Sequence, residues 1–285
     1  MTALARRAGG PLAWLAAGAA VAAQVAAAVL AAAEIAVVGW PLPTAFDSAN
    51  VIIVLAAAAA GVAGGGSVAA RTAAGSRALR TLTRAAGQPV PPVVLEAAAG
   101  LGIAGRVDAV GTGEAFAVTY RLIRPRILVS TALAAELTGA EVAAVLAHER
   151  EHVRHRDPLR MLAVRLLTAF AWYTPAASWL ARRAVLRREL AADRASARGA
   201  GRGMLAGALL KLASLPACPA ATAAGPAPDA PGSLEARVAQ LEGRRPPRPR
   251  LTPPRMLGTA GIAAVLMAAG GCCAALSQLL PGGIT

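Results

Sequence analysis

Three long apolar stretches divide the chain: 11–38, interrupted only by Gln24 and Glu34, then 49–70, then 256–280. About 20 apolar residues suffice to cross a bilayer, so each stretch predicts a transmembrane helix. The first is too long for the apolar core of a cleaved signal peptide. Glu34 falls near its outer end, where a charge costs less than at the bilayer centre. Gly64-Gly65-Gly66 close the second stretch and mark either close helix packing or a frayed helix end. Arg6 and Arg7 precede the first stretch, and Arg71, Arg77, Arg80 and Arg84 follow the second. The loop 39–48 between them has no basic residue. That asymmetry puts the amino terminus and residues 71 onward in the cytoplasm and loop 39–48 outside.

Between the apolar stretches the pattern changes. Pro89, Pro91 and Pro92 form a joint, and Val93–Leu95, Arg106–Val110, Ala115–Tyr120 and Arg126–Val129 are short β-prone runs separated by Gly and Pro. Apolar Ala, Val and Leu positions through 142–147 predict a helix. Thr138 and Glu141 form a capping box at its start, and Asp157-Pro158 stop it. A second helix is predicted over about 182–198, closed by Gly199, and a third over 200–215. Residues 216–232 are rich in Pro, Ala and Gly and read as a linker. Ser233–Leu241 is amphipathic, with Leu234, Val238 and Leu241 as its apolar face. The basic run Arg244 to Arg250 is broken by three prolines, cannot be helical, and suits anionic headgroups of the inner leaflet.

The chemistry concentrates in His148-Glu149-Arg150-Glu151-His152. Side chains four apart on a helix share a face, so His148 and His152 present two nitrogens to one zinc ion. Glu149 beside them reaches a water on that ion as general base. All three histidines of the chain lie between 148 and 155. Zinc in a catalytic site takes a third protein ligand and keeps one position open. Glu189 is the best candidate. Asp193, one turn on, is placed to accept a hydrogen bond from the outward nitrogen of a ligand histidine. The bland alternative pairs Glu189 and Asp193 with Arg150, Arg187 or Arg194 on a solvated helix.

Glu189 constrains the run 159–181. A single crossing there would put Glu189 on the opposite side of the membrane from His148, and the 36 residues between His152 and Glu189 are too few for two crossings. A helix–Pro–helix hairpin broken at Pro175 is therefore expected. It lies along or dips into the inner leaflet, with Trp172, Tyr173 and Trp179 near the headgroups.

Composition adds less. Hydrophobic residues make up 56% of the chain, which weighs against a purely soluble protein. The net charge of +14 would suit nucleic acid, but the arginines flank apolar segments instead of forming one basic domain, so no direct nucleic-acid partner is expected. Lys211 is the only lysine among the 29 basic residues, an excess of Arg that points to coding bias. Cys218, Cys272 and Cys273 have no zinc-site spacing with the histidines and imply no disulfide framework.

The string Ala147–His152, then Arg156-Asp157-Pro158-Leu159, Trp172-Tyr173-Thr174-Pro175 and Glu189…Asp193, resembles the membrane zinc metallopeptidases of the beta-lactam sensor/antirepressor type. Ala115–Val118 and Ile127–Leu133 also resemble that group, and equally its gluzincin relatives, the heat-shock membrane endopeptidases and prenyl-protein proteases. The likeness covers roughly residues 105–245. It implies one zinc per chain on His148, His152 and Glu189, with Glu149 as base. It also favours Ala115, Phe116, Ala117 and Val118 as an edge strand to which a protein or peptide substrate adds as a further strand, over an ordinary hairpin that covers the helix. A second donor to the oxyanion is expected from Tyr173, His155 or an arginine. Two departures stand out: His155 occupies a position more often basic, and too few residues lie outside the membrane segments to build an extracellular sensor domain.

These readings predict an α-helical integral membrane protein, multi-pass in the cell membrane, with a cytoplasmic α+β zincin-like metallopeptidase domain. Residues 1–70 hold two spans and 71–215 the peptidase, with its hairpin at 159–181. Residues 216–255 are a linker with a short helix at 233–241, and 256–280 form the last span. Three activities fit: cleavage of a transcriptional repressor, removal of damaged membrane proteins, or a non-catalytic scaffold that keeps the fold. Glu149 weighs against the last.

Overall fold

The computed structural model describes residues 45–171, 175–216, 218–219, 221, 233–247 and 257–258, with side chains from residue 59 onward except Pro175. The expected spans 11–38 and 256–280 fall outside these residues apart from 257–258. Among the described residues no helix is long and apolar enough to cross a membrane. The expected span 49–70 lies within helix α1 (Ala45–Ala85), which runs on through the arginines that follow. The chain divides into two compact units, one of residues 1–67, 165–181 and 250–285, the other of 68–164 and 182–249.

In the first unit α1 meets the last turn of α5 (Asp157–Phe170) through its glycines. A Cβ on Gly61 would sit 3.1 Å from the Phe170 ring, and one on Gly64 would sit 3.4 Å from the Ala169 carbonyl. Of the two readings of the glycine run, close packing is the one found: the helix does not fray there.

The second unit holds a four-stranded sheet beside helices. Its strands are β1 (Gly87–Gln88), β2 (Val107–Val110), β3 (Ala117–Tyr120) and β4 (Arg126–Ser130), in the order β1-β2-β4-β3. β2 and β4 are parallel, with Val107 opposite Ile127, while β3 runs antiparallel to β4, with Val118 opposite Leu128. Alternate residues of β4 feed two cores, as the two-residue period of a strand requires. Ile127 and Val129 pack with Val94, Leu133, Val142 and Leu146. Leu128 packs with Leu79, Val110, Phe116 and Tyr120. β3 is outermost, and no described strand pairs with its far side.

One predicted strand is a helix. Val93–Leu95 lies in α2 (Pro92–Gly100), where proline sits in the first turn and buried Val94 and Ala98 share one face. The fixed φ of Pro92 suits a helix start, and the run Glu96-Ala97-Ala98-Ala99 outweighs the β preference of two valines.

After β4 come α3 (Thr131–Glu136) and α4 (Gly139–His155). The capping box at Thr138 and Glu141 forms as expected. Glu141 also accepts a hydrogen bond from Lys211 at 2.7 Å. α4 ends on Arg156 in the left-handed region, φ 52°. That single residue turns the chain, so Asp157-Pro158 does more than stop one helix: Asp157 opens the next. α6 (Pro175–Ala200) begins well before the expected 182, and Gly201, not Gly199, takes the positive φ that ends it. α7 (Arg202–Ala213) and α8 (Ser233–Leu241) follow. The packed face of α8 is not the expected Leu234, Val238 and Leu241. Ala236 and Ala239 are buried, while Leu234 is 63% exposed.

The capping box makes a prediction. Thr138→Ala removes the side-chain acceptor for the Glu141 amide and should lower stability by about 1 kcal/mol. Thermal unfolding should show a drop of a few degrees, and Thr138→Ser should restore most of it.

Candidate metal centre

α4 places His148 and His152 one turn apart, with their Nε2 atoms 3.1 Å from each other. α6 brings Glu189 to the same point, Oε2 3.5 Å from His148 Nε2 and Oε1 3.6 Å from His152 Nε2. One ligand atom from each of the three residues lies within 4.8 Å of the others. Zinc bonds of 2.0–2.2 Å at tetrahedral angles set ligand atoms about 3.3–3.6 Å apart; both Glu189 distances fall in that range, and the 3.1 Å between the two Nε2 atoms is slightly shorter.

A carboxylate stands behind each imidazole. His152 Nδ1 is 2.7 Å from Asp157 Oδ2. His148 Nδ1 is 2.9 Å from Asp193 Oδ1, close enough for an ion pair but off the angle of a well-formed hydrogen bond. An acceptor behind Nδ1 keeps the proton there and leaves the Nε2 lone pair facing the cluster. Each carboxylate is held by an arginine in turn. Arg188 donates to Asp157 from Nε and Nη2, at 2.9 and 2.8 Å. Arg237 of α8 donates to both oxygens of Asp193 at 2.8 Å, and its Nη1 lies 3.5 Å from Glu189 Oε2. Asp193 is fully buried. Ser196 donates to the Ala144 carbonyl at 2.7 Å and fixes α6 against α4.

Charge follows this geometry. Burial works against protonating His148, but Asp193 and Glu189 outweigh it and raise its pKa to about 9. Burial pushes Glu189 up, yet His148 and His152 bring it down to about 2. Burial likewise raises Asp157 and Asp193, and their histidine and arginine partners hold both below the usual carboxylate range.

Glu149 is buried next to the cluster. Thr119 of β3 donates to its Oε2 at 2.7 Å, tying the edge strand to that carboxylate. Of the four expected edge residues, only Ala117 and Val118 belong to β3. Ala115 and Phe116 lie just before it, buried, and the Phe116 amide donates to the Ser130 hydroxyl. His155 is not part of the cluster, because its Nδ1 faces Glu151 on its own helix, 3.1 Å from the carboxylate. Tyr173 falls outside the described residues. Four residues that sequence reasoning missed complete the arrangement: Thr119, Asp157, Arg188 and Arg237. Asp157 carries a signal, being five residues past His152 and part of the string that resembles the metallopeptidase family, but neither reading gives it a role beside His152. Arg237, 44 residues beyond Asp193, carried none.

Residues 118–241 match the family model of the BlaR1 peptidase M56, and this stretch runs from β3 to the end of α8. The match supports a metallopeptidase of that family. No curated protein matches the chain.

Metal affinity should therefore depend on the carboxylates that touch no metal. Asp157→Ala and Asp193→Ala should each weaken zinc binding by about 10–100-fold, measured by competition with a chromophoric chelator. Equal affinity in the variants and the parent would exclude an orienting role.

Proposed function

We propose that this protein is a membrane-bound zinc metalloendopeptidase acting on a cytoplasmic or inner-leaflet protein. The observation that carries the reading is the meeting of His148, His152 and Glu189 beside a buried Glu149 that is itself held by the edge strand. The donor set, two imidazoles and a carboxylate with an acceptor behind each ring, is that of a catalytic zinc site with one position left open. Zinc, when bound there, supplies a Lewis acid and a water whose pKa falls to about 7. The residues do the rest. Glu149 takes a proton from the attacking water and returns it to the leaving amine. Thr119 fixes the Glu149 carboxylate so that little reorientation is needed. Asp157 and Asp193 fix the rings.

The substrate adds to the free side of β3 through main-chain hydrogen bonds, which gives weak sequence preference. Thr119 belongs to the same strand, so a peptide lying along β3 passes close to Glu149. The membrane reading rests on the apolar stretches of the sequence and on the arginines that flank them, and it places the peptidase on the cytoplasmic side. Repressor cleavage, which the antirepressor resemblance favours, and quality control remain the two substrate classes. A scaffold without activity has no use for a buried glutamate beside three ligand-type residues.

Purified full-length protein should hold about one zinc per chain, as one three-ligand site requires. Glu189→Ala should lose most of it. Glu149→Gln should keep the metal and lose peptidase activity on an unfolded protein substrate by at least about 100-fold, the scale of a lost general base. Zinc retained in full by Glu189→Ala removes that ligand. Undiminished cleavage by Glu149→Gln removes the base.

A further inference from the structure

A second polar site lies behind the metal centre. A half-open cleft of about 440 Å³ is formed by α6, the start of α7 and the end of α8. Arg194, Arg198, Arg202 and Arg244 line it. They come from three separate segments, so helical periodicity alone does not gather them. All four are exposed to solvent, where like charges brought together still repel, though water screens them.

Few acids offset them. Arg194 donates to the neutral side chain of Gln240 at 3.0 Å. Arg244 pairs with Glu242. Arg198 and Arg202 meet no acidic side chain among the described residues. Asp193 borders the cleft, but both its oxygens are taken by Arg237.

The backbone adds to the positive potential. α7 starts at Arg202 after Gly201, and no side chain caps its first amides. Those amides and the helix dipole favour an anion. Gly243, at φ 80°, lets the turn after α8 approach the Arg202 guanidinium, because a Cβ there would sit 3.1 Å from Nη1.

We propose that this cleft binds a phosphate group, supplied by an anionic phospholipid headgroup or by free phosphate. Planar guanidinium forks match tetrahedral oxyanions and bind them with paired, charge-assisted hydrogen bonds. A headgroup is the nearer source in sequence. The arginines of 244–250 lead directly into the apolar stretch 256–280. The site is separate from peptide hydrolysis and stands whether or not the metal centre is catalytic.

The test uses the full chain in neutral detergent. Thermal unfolding is followed against inorganic phosphate in one arm. In the other it is followed against mixed micelles holding phosphatidylglycerol or, as control, phosphatidylcholine. Binding to the folded state should raise the melting temperature saturably. Arg198→Gln with Arg202→Gln should weaken the apparent affinity by about 100-fold, roughly tenfold for each lost charge-assisted pair. The pair Arg80→Gln with Arg84→Gln removes equal charge from equally exposed positions outside the cleft and should leave the response intact. A response to phosphate marks the free ion as sufficient, and a response to phosphatidylglycerol alone marks the headgroup. No saturable response in either arm, or equal loss in the two double variants, overturns the proposal. So does an undiminished response in Arg198→Gln/Arg202→Gln, which would place the anion elsewhere.

Discussion

Two imidazole nitrogens 3.1 Å apart cannot both turn a lone pair on the other: one carries a proton, or a cation stands between them. Against burial, Asp193 and Glu189 raise the His148 pKa to about 9, so without a metal that ring is the one that carries the proton. With a metal, both rings are neutral ligands. Asp157 and Asp193 behind the rings are each paired with an arginine, Arg188 and Arg237. Ligand spacing and ring orientation are thus compatible with a bound cation.

That constraint explains features that look unrelated along the chain. The left-handed Arg156 is uncommon for a residue with a Cβ. It turns the chain so that Asp157 comes back to His152 within five residues. Ser196 gives up its hydroxyl to a carbonyl of α4, which holds α6 at the distance Glu189 needs. Thr119 of the outermost strand β3 holds the Glu149 carboxylate, so under the proposed function positioning and recognition would share one element.

How much of this the sequence showed depended on distance along the chain. The helix carrying His148 and His152 was legible because its capping box and its four-residue spacing are local. The place of Glu189 beside the two histidines was legible because zinc chemistry calls for a third protein ligand. Val93–Leu95 misled because β-branched residues mark strands only on average, and here the Pro92 start and the alanine run decided otherwise. The apolar face expected for 233–241 was wrong for a physical reason. Turning Leu234 and Val238 inward would swing Arg237 away from Asp193.

That exchange bears on how the metal centre is completed. Asp193 is fully buried, and a carboxylate there without a cation would be strongly destabilising. Arg237 supplies the cation from beyond residues 216–232, while Gln240 donates to the Leu190 carbonyl at 3.0 Å. α8 exposes two of its larger apolar side chains in order to place Arg237 and Gln240. A helix held only by burial of its apolar face would do the reverse. α8 thus docks through small buried side chains, with Ala236 against Leu186 and Leu190, and through Arg237, whose guanidinium pairs with the buried acid behind His148.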